Sequence, residues 1–243
     1  MTTPTWHTDP THSTRVLARG DTFDAYVARP AAPARSVIVV LHEVFGVNAD
    51  IRASCEELAQ EGFTAVAPEL FWRQERGVDL SVRSQPDWEK GLFLYKAFNI
   101  DTGVQDVEAT LEAARAMAGA TGHVGVMGFC LGGLLTFLTA ARTSVDAAVA
   151  FHGGRTEEFL DEAADIDVPL QMHLAADDEF IPPTAQRAIV AALADRSNVE
   201  IYSYAGCKHA FSRHGGLHYD ANAAQLSRQR TLDFFRHHLR SHP

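Results

Sequence analysis

The sequence holds little that would staple, anchor or neutralise it. Its 243 residues include three cysteines, Cys55, Cys130 and Cys207, far apart and with no C-x-x-C pair. Such a set makes neither a disulfide framework nor a cysteine zinc site, and it fits a reducing cytosol. No apolar run approaches the roughly 20 residues that a membrane span needs. The opening stretch, MTTPTWHTDPTHSTR, lacks the apolar core of a signal peptide. Positive charge is short as well: 21 Lys and Arg against 31 Asp and Glu leave a formal net charge of −10. Nucleic-acid binding rests on cations that neutralise phosphates, so it is not expected. An anionic ligand would need a local positive group rather than the overall field. The expectation is a soluble, cytoplasmic protein, a monomer or small homo-oligomer, whose partner is a small molecule and neither nucleic acid nor a membrane.

What is present is core material. Hydrophobic residues make up 46% of the chain and charged residues 21%, a balance that supports a large core. No repeat or low-complexity linker divides the chain, and "PAAPARS" (30–36) is too short to separate domains. A single domain over 1–243 is expected, with residues 1–14 as an irregular N-terminal extension. "RVLARGDTFDAYVARP" reads as two strands around a turn at Gly20–Asp21. "SVIVVLH" is continuous and β-branched, as a strand buried on both faces would be. A helix is expected over about 48–61, followed by the strand "FTAVAP". Residues 69–90 read as an irregular segment of the kind that covers a site. Helices then fill about 87–98 and 103–118. Beyond them, strands at 122–127 and 145–151, in "VPLQMHLAA" and in "VEIYSYAG" alternate with helices at 131–142, 183–194 and 220–240. This alternation implies an α/β fold with a mainly parallel central sheet covered by helices on both faces. In such sheets, function gathers at the carboxyl ends of the strands.

One of those ends reads GFCLGG, Gly128 to Gly133. A G-x-C-x-G pattern between a strand and a helix can hold a nucleophile in a sharp turn, where small neighbours let the backbones pass. The helix N-terminus beneath it favours a thiolate and offers N–H groups to an oxyanion. The alternative is a glycine-rich turn whose Cys130 is small buried filler. A cysteine nucleophile needs a histidine base, and the histidine an orienting carboxylate. "AADDEFIPP" and "AGCKHAFSR" follow the last two strands and supply Asp177 or Asp178, then His209. Nucleophile, acid, histidine is the order of the α/β-hydrolase triad. In that fold an N–H from the loop after the buried strand pairs with the N–H after the nucleophile. Here those belong to Val44, in "VLHEVFGV", and Leu131. Glu43 in the same loop would keep a neighbouring thiol protonated, unless it is a solvated loop acid. Other histidines, such as His173 within a strand, read as structural. The pairs His214 and His218, and His237 and His238, lack companion ligands, so no metal is expected.

Taken together, "HEVFGV", "AFNIDTGVQDV", "GFCLGG", "DEFIPP" and "HAFSR" resemble the dienelactone hydrolase family (carboxymethylenebutenolidases), from about residue 15 to the C-terminus. The resemblance implies an α/β-hydrolase fold and a Cys130–His209–Asp178 triad, which selects Asp178 over Asp177. It implies that Glu43 partners the resting thiol until substrate disturbs it. It also implies a substrate-carboxylate site to which Arg213 contributes, with Phe45, Trp88, Tyr95 and Ala210 as further substrate-binding positions. If Tyr95 matches the family's aromatic, Trp88 stands where the archetype has a second arginine, and Ala210 stands where it commonly has serine. Both departures suggest weaker anion binding and more apolar surface.

The expected activity is therefore cysteine-dependent hydrolysis of an enol lactone or similar activated ester through a thioester, with no cofactor. A broader carboxylesterase or thioesterase with the same triad is the first alternative. A glutamine amidotransferase can also place cysteine in such a turn, but it carries its acid two residues after the histidine, where this chain has Phe211. A non-catalytic binding relative would not need an intact triad.

Overall fold

The computed structural model describes residues 12–32, 34, 36–118 and 122–239. Most of the expected N-terminal extension lies outside the described residues. Its last part does not read as irregular, because Ser13 and Thr14 already pair with Tyr26 and Ala25. The chain divides into two compact units, one running to Val124 and the other from Gly125.

In the first unit, β1 (Ser13–Ala18) and β2 (Asp21–Ala28) form an antiparallel hairpin. Its turn is Arg19–Gly20, one residue earlier than expected, and both residues take positive φ. That is the two-residue geometry matching the twist of the flanking strands. β2 runs antiparallel to β4 (Thr64–Pro68), which runs parallel to β3 (Val37–Leu41). Every residue of β3 is buried, as its unbroken β-branched run requires. α1 (Ala49–Gln60) starts where Asn48 Oδ1 accepts the Ile51 N–H, and buries Ile51, Cys55 and Leu58 along one stripe.

The segment after β4 is irregular only as far as residue 84. α2 (Gln85–Lys96) begins earlier than expected, with Ser84 as cap and Pro86 in its first turn. α3 (Ile100–Ala118) likewise starts three residues early, its first turn held by Asn99. The irregular stretch is pinned rather than loose. Asp106, buried in α3, accepts from Trp72 Nε1 at 2.9 Å and pairs with Arg73 at 2.7 Å. Residues 78–80 strap the loop after β3: Leu80 N–H donates to the Phe45 carbonyl, and Arg52 reaches both Asp79 and the Val47 carbonyl. Gly46 sits at φ +72, and a Cβ there would meet the Val78 carbonyl oxygen at 2.0 Å.

The second unit is a parallel array in chain order: β5 (Val124–Phe129), β6 (Ala147–Phe151), β7 (Leu170–Ala175) and β8 (Val199–Tyr204). α4 (Leu131–Arg142) is buried along nearly its whole length and packs on β6. α6 (Ala221–His238) packs on β6 and β7, while α5 (Pro183–Leu193) rests on a 3₁₀ segment, Thr156–Asp165, that the sequence pattern did not announce. His173 is structural as expected: its Nδ1 meets the Tyr204 hydroxyl at 2.8 Å and its Nε2 meets Gln171 Oε1 at 2.9 Å. No helix among the described residues is long and apolar enough to cross a membrane.

Three fully buried histidines are held neutral. Burial lowers His42 to about 4 and His173 to about 3, and drives His152 well below its ordinary value. Between pH 6.5 and 4 the unfolded chain binds protons at these sites that the folded chain refuses. Stability should therefore fall as pH drops through this window, by about 1.4 kcal/mol per pH unit for each histidine. Urea unfolding at pH 6.5, 5.5 and 4.5 measures it, and equal stability at 6.5 and 5.5 would contradict it. Gly46→Ala should cost about 3 kcal/mol by adding a clash to a left-handed backbone, read as a lower denaturation midpoint.

Candidate active site

The candidate side chains of the second unit lie at the carboxyl ends of its parallel strands. β5 delivers Cys130, the residue between strand and α4, at φ 53 and ψ −111. A non-glycine residue holds such a conformation only when its surroundings over-determine it. Here the Cys130 N–H donates to the Phe151 carbonyl at 3.1 Å. That same carbonyl oxygen lies 2.3 Å from where a Cβ on Gly133 would fall, so glycine is required for the helix to approach β6. Cys130 is partly exposed, whereas Cys55 is fully buried in α1, and burial pushes its thiol up, out of reach of ionisation. Leu131 opens α4, so its N–H is among those a helix leaves without an intrahelical partner.

β7 delivers Asp178 and β8 delivers His209. Asp178 is buried, and its Oδ1 accepts the N–H groups of Phe180 and Ile181, which fix the carboxylate. His209 Nδ1 stands 2.8 Å from Asp178 Oδ2 and 3.0 Å from Oδ1. Asp177, the other acid of the pair, is exposed. Burial alone would lower the His209 pKa. The charge of Cys130 and the hydrogen bond to Asp178 overcome that and raise it to about 10. His209 Nε2 has no well-aligned hydrogen bond, and Cys130 acts on the ring first through its charge and then through a weaker side-chain hydrogen bond.

Ala210 follows at φ 59, buried, so its methyl adds no polar group to the site. Arg213 is half-buried, its N–H bonded to the Ala210 carbonyl. The first unit holds the remaining candidates. Glu43 is 3% exposed, which rules out a solvated loop acid, and Val44 is buried beside it. Phe45 packs edge-on against Trp88 at 4.7 Å, and Trp88 Nε1 donates to the Val82 carbonyl at 2.8 Å. Tyr95 is half-buried on α2.

Three residues near His209 escaped the sequence reading. Glu179 accepts the His209 backbone N–H at 3.2 Å and pairs with His218 at 3.3 Å. Phe180, 55% exposed, sets its ring edge-on to His209 at 4.8 Å. His152, after β6, lies 4.5 Å from the His209 ring, centroid to centroid. Its signal was in plain view, since "VAFHGG" also closes a parallel strand, but no motif singled it out.

A parallel array with nucleophile, acid and histidine candidates at the ends of its first, third and fourth strands defines the α/β-hydrolase class. The dienelactone hydrolase family model matches residues 23–239, across both units. A "Putative carboxymethylenebutenolidase" of Azospirillum brasilense is 39% identical over 220 residues, covering 89% of this chain and 94% of that protein. The "Carboxymethylenebutenolidase" of Pseudomonas putida is 36% identical over 215 residues, covering 88% and 91%. A crystal structure of a "Putative Dienelactone Hydrolase" from Klebsiella pneumoniae subsp. pneumoniae MGH 78578 superposes with a TM-score of 0.82 at 30% identity, covering 92% of this chain and 97% of that one. The chain belongs to the dienelactone hydrolase family and is a carboxylic ester hydrolase.

The imidazolium of His209 contributes stability in full below pH 6.5, and loses it as pH rises toward 10. In nitrogen-labelled protein one histidine should titrate near pH 10. Cys130→Ala should bring that midpoint down, since it removes the largest raising influence. An unmoved midpoint would contradict this electrostatic coupling.

Proposed function

We propose that the protein opens an enol lactone of the dienelactone type, or a similarly activated ester, by cysteine-dependent hydrolysis through a thioester. The observation that carries this is the strained, partly exposed Cys130 at a helix start, electrostatically coupled to a histidine already paired with a buried carboxylate. The Cys130 thiolate adds to the carbonyl carbon, and the Leu131 N–H receives the developing oxyanion. The ring C–O bond breaks and an enolate leaves, taking the proton from His209 Nε2. Acylation removes the sulfur's negative charge, and with it the strongest influence holding His209 protonated. The neutral imidazole then takes a proton from water, whose oxygen attacks the thioester, and the C–S bond breaks to restore the thiolate. Asp178 keeps Nδ1 as the donor throughout. No step calls for a metal or an organic cofactor.

The family resemblance extends this scheme to the other candidates. Val44 is assigned the second oxyanion N–H, and Glu43 the part of partnering the Cys130 side chain until substrate arrives. Arg213 is assigned to a substrate carboxylate, and Phe45, Trp88, Tyr95 and Ala210 to the surface around the substrate. The unbroken family match from 23 to 239 supports a single catalytic domain. Three free cysteines support a cytoplasmic setting. A second reading, a broader esterase for uncharged esters, draws on the buried Ala210 methyl and on the exposed Phe180 ring beside His209.

Cys130→Ala should reduce hydrolysis of a dienelactone by about a thousandfold or more. Mass spectrometry of the unsubstituted protein with a slow ester should find the acyl group on Cys130. Survival of hydrolysis in Cys130→Ala would end the cysteine mechanism. A similar kcat/KM for a dienelactone and a neutral aryl ester would favour the broader esterase.

A further inference from the structure

The loop after β3 contains a peptide that is fixed on one side and bare on the other. His42, 1% exposed, holds Nδ1 at 2.6 Å from the Glu43 carbonyl oxygen and Nε2 at 3.1 Å from the Leu70 backbone nitrogen. A carbonyl only accepts and a backbone N–H only donates, so both contacts require the same tautomer. Nδ1 carries the proton and Nε2 the lone pair. Burial keeps the ring neutral by lowering its pKa to about 4, and the carbonyl and charge of Glu43 oppose this less strongly. Packing holds the ring as well: Phe71 lies 5.0 Å from it, and Phe98 meets Phe71 edge-on at 5.7 Å.

The Glu43 carbonyl and the Val44 N–H belong to one planar trans peptide, so fixing the oxygen also fixes the direction of the hydrogen. That N–H points away from the imidazole. It donates to no backbone or side-chain acceptor among the described residues, although Val44 is only 5% exposed. Buried N–H groups without a partner are rare in native structures. The other side of Val44 is covered by α2, where a Cβ on Gly91 would fall 2.6 Å from the Val44 carbonyl oxygen. Val44 is thus clasped between His42 and α2, with one donor left over.

We propose that His42 is a positioning residue, which through the Glu43 carbonyl presents the Val44 N–H as a pre-oriented donor for the oxyanion. This rests on the assignment of Val44 to the oxyanion hole and supplies the device that holds it ready. Such a hole works because its donors are aimed before charge develops, with no reorganisation during the reaction. Without the imidazole, the peptide is free to rotate and turn its oxygen where the hydrogen should be. An oxygen there repels the developing charge. His42 touches no reacting atom, and its whole effect passes through its neighbour's carbonyl.

The test compares His42→Leu with His42→Asn in the full chain. The two side chains have nearly the same shape, and both abandon the Leu70 N–H. Only asparagine can donate to the Glu43 carbonyl. With para-nitrophenyl acetate, His42→Leu should lower kcat and kcat/KM together by about tenfold or more, with KM nearly unchanged. His42→Asn should stay within about threefold of the unsubstituted enzyme. A purely structural role predicts the opposite order, because leucine suits a buried site better than asparagine. Glu43–Val44 is the one Glu-Val pair in the chain, so carbon-labelled glutamate with nitrogen-labelled valine isolates its amide resonance. That resonance should shift in His42→Leu and return toward its native position in His42→Asn. An unmoved resonance would overturn the positioning of the peptide, and equal losses of kcat in the two variants would reduce His42 to packing. A shifted resonance with kcat unchanged in both would overturn the catalytic use of the peptide, and with it the assignment of Val44. If His42→Leu does not fold, His42→Phe, which keeps the ring's bulk, takes its place. The resonance needs neither substrate nor Cys130, so that result stands even if hydrolysis survives Cys130→Ala.

Discussion

The Phe151 carbonyl is the point on which the second unit turns. It accepts the Cys130 N–H, and it occupies the space that any side chain at position 133 would need. These two demands force Cys130 into a backbone region that a cysteine does not choose for itself, and they require glycine one turn into α4. The strain has a chemical consequence. It lifts the sulfur off the end of the sheet instead of burying it, as Cys55 is buried in α1. The next residue along, His152, inherits the same constraint, because its conformation is set by the strand end that holds the turn.

Charge is organised around that turn by what is buried and what is paired. His42, His152 and His173 are kept neutral by burial, whereas His209, equally deep, is raised to about 10. The difference comes from the partners. Asp178 has its own carboxylate pinned by two backbone N–H groups, so it stays in place to hold Nδ1. The sulfur supplies the rest chiefly through its charge, which makes the basicity of His209 depend on the charge state of Cys130. A histidine of this kind can give a proton in one half of a reaction and take one in the other, with no movement of the ring.

The first unit shows the same economy in its loop after β3. Gly46 passes so close to Val78 that only a hydrogen fits, and Leu80, Arg52 and Asp79 fasten the two stretches together. The irregular segment beyond β4 is tied by Trp72 and Arg73 to the buried Asp106. Segments without regular structure can thus be held as firmly as strands when their side chains reach buried acceptors.

Much of this was legible in the residues themselves. Strand and helix alternation is written in local apolar period, so the elements fell within a few residues of expectation. GFCLGG, DEFIPP and HAFSR announced their chemistry because glycine-flanked nucleophiles and strand-end acids are local patterns. α2 starts two residues before expectation, where Ser84 caps it and Pro86 lies in its first turn. Other facts had no local trace. The burial of Glu43 is a matter of where its loop is strapped, and the bare nitrogens of His152 of what neighbouring strands place around one ring. Sequence by itself determined the elements, their order and the chemical types at the strand ends, since these depend on neighbours along the chain. Only the tertiary structure decided which groups are buried, paired or left unsatisfied, because desolvation and hydrogen bonding depend on neighbours in space.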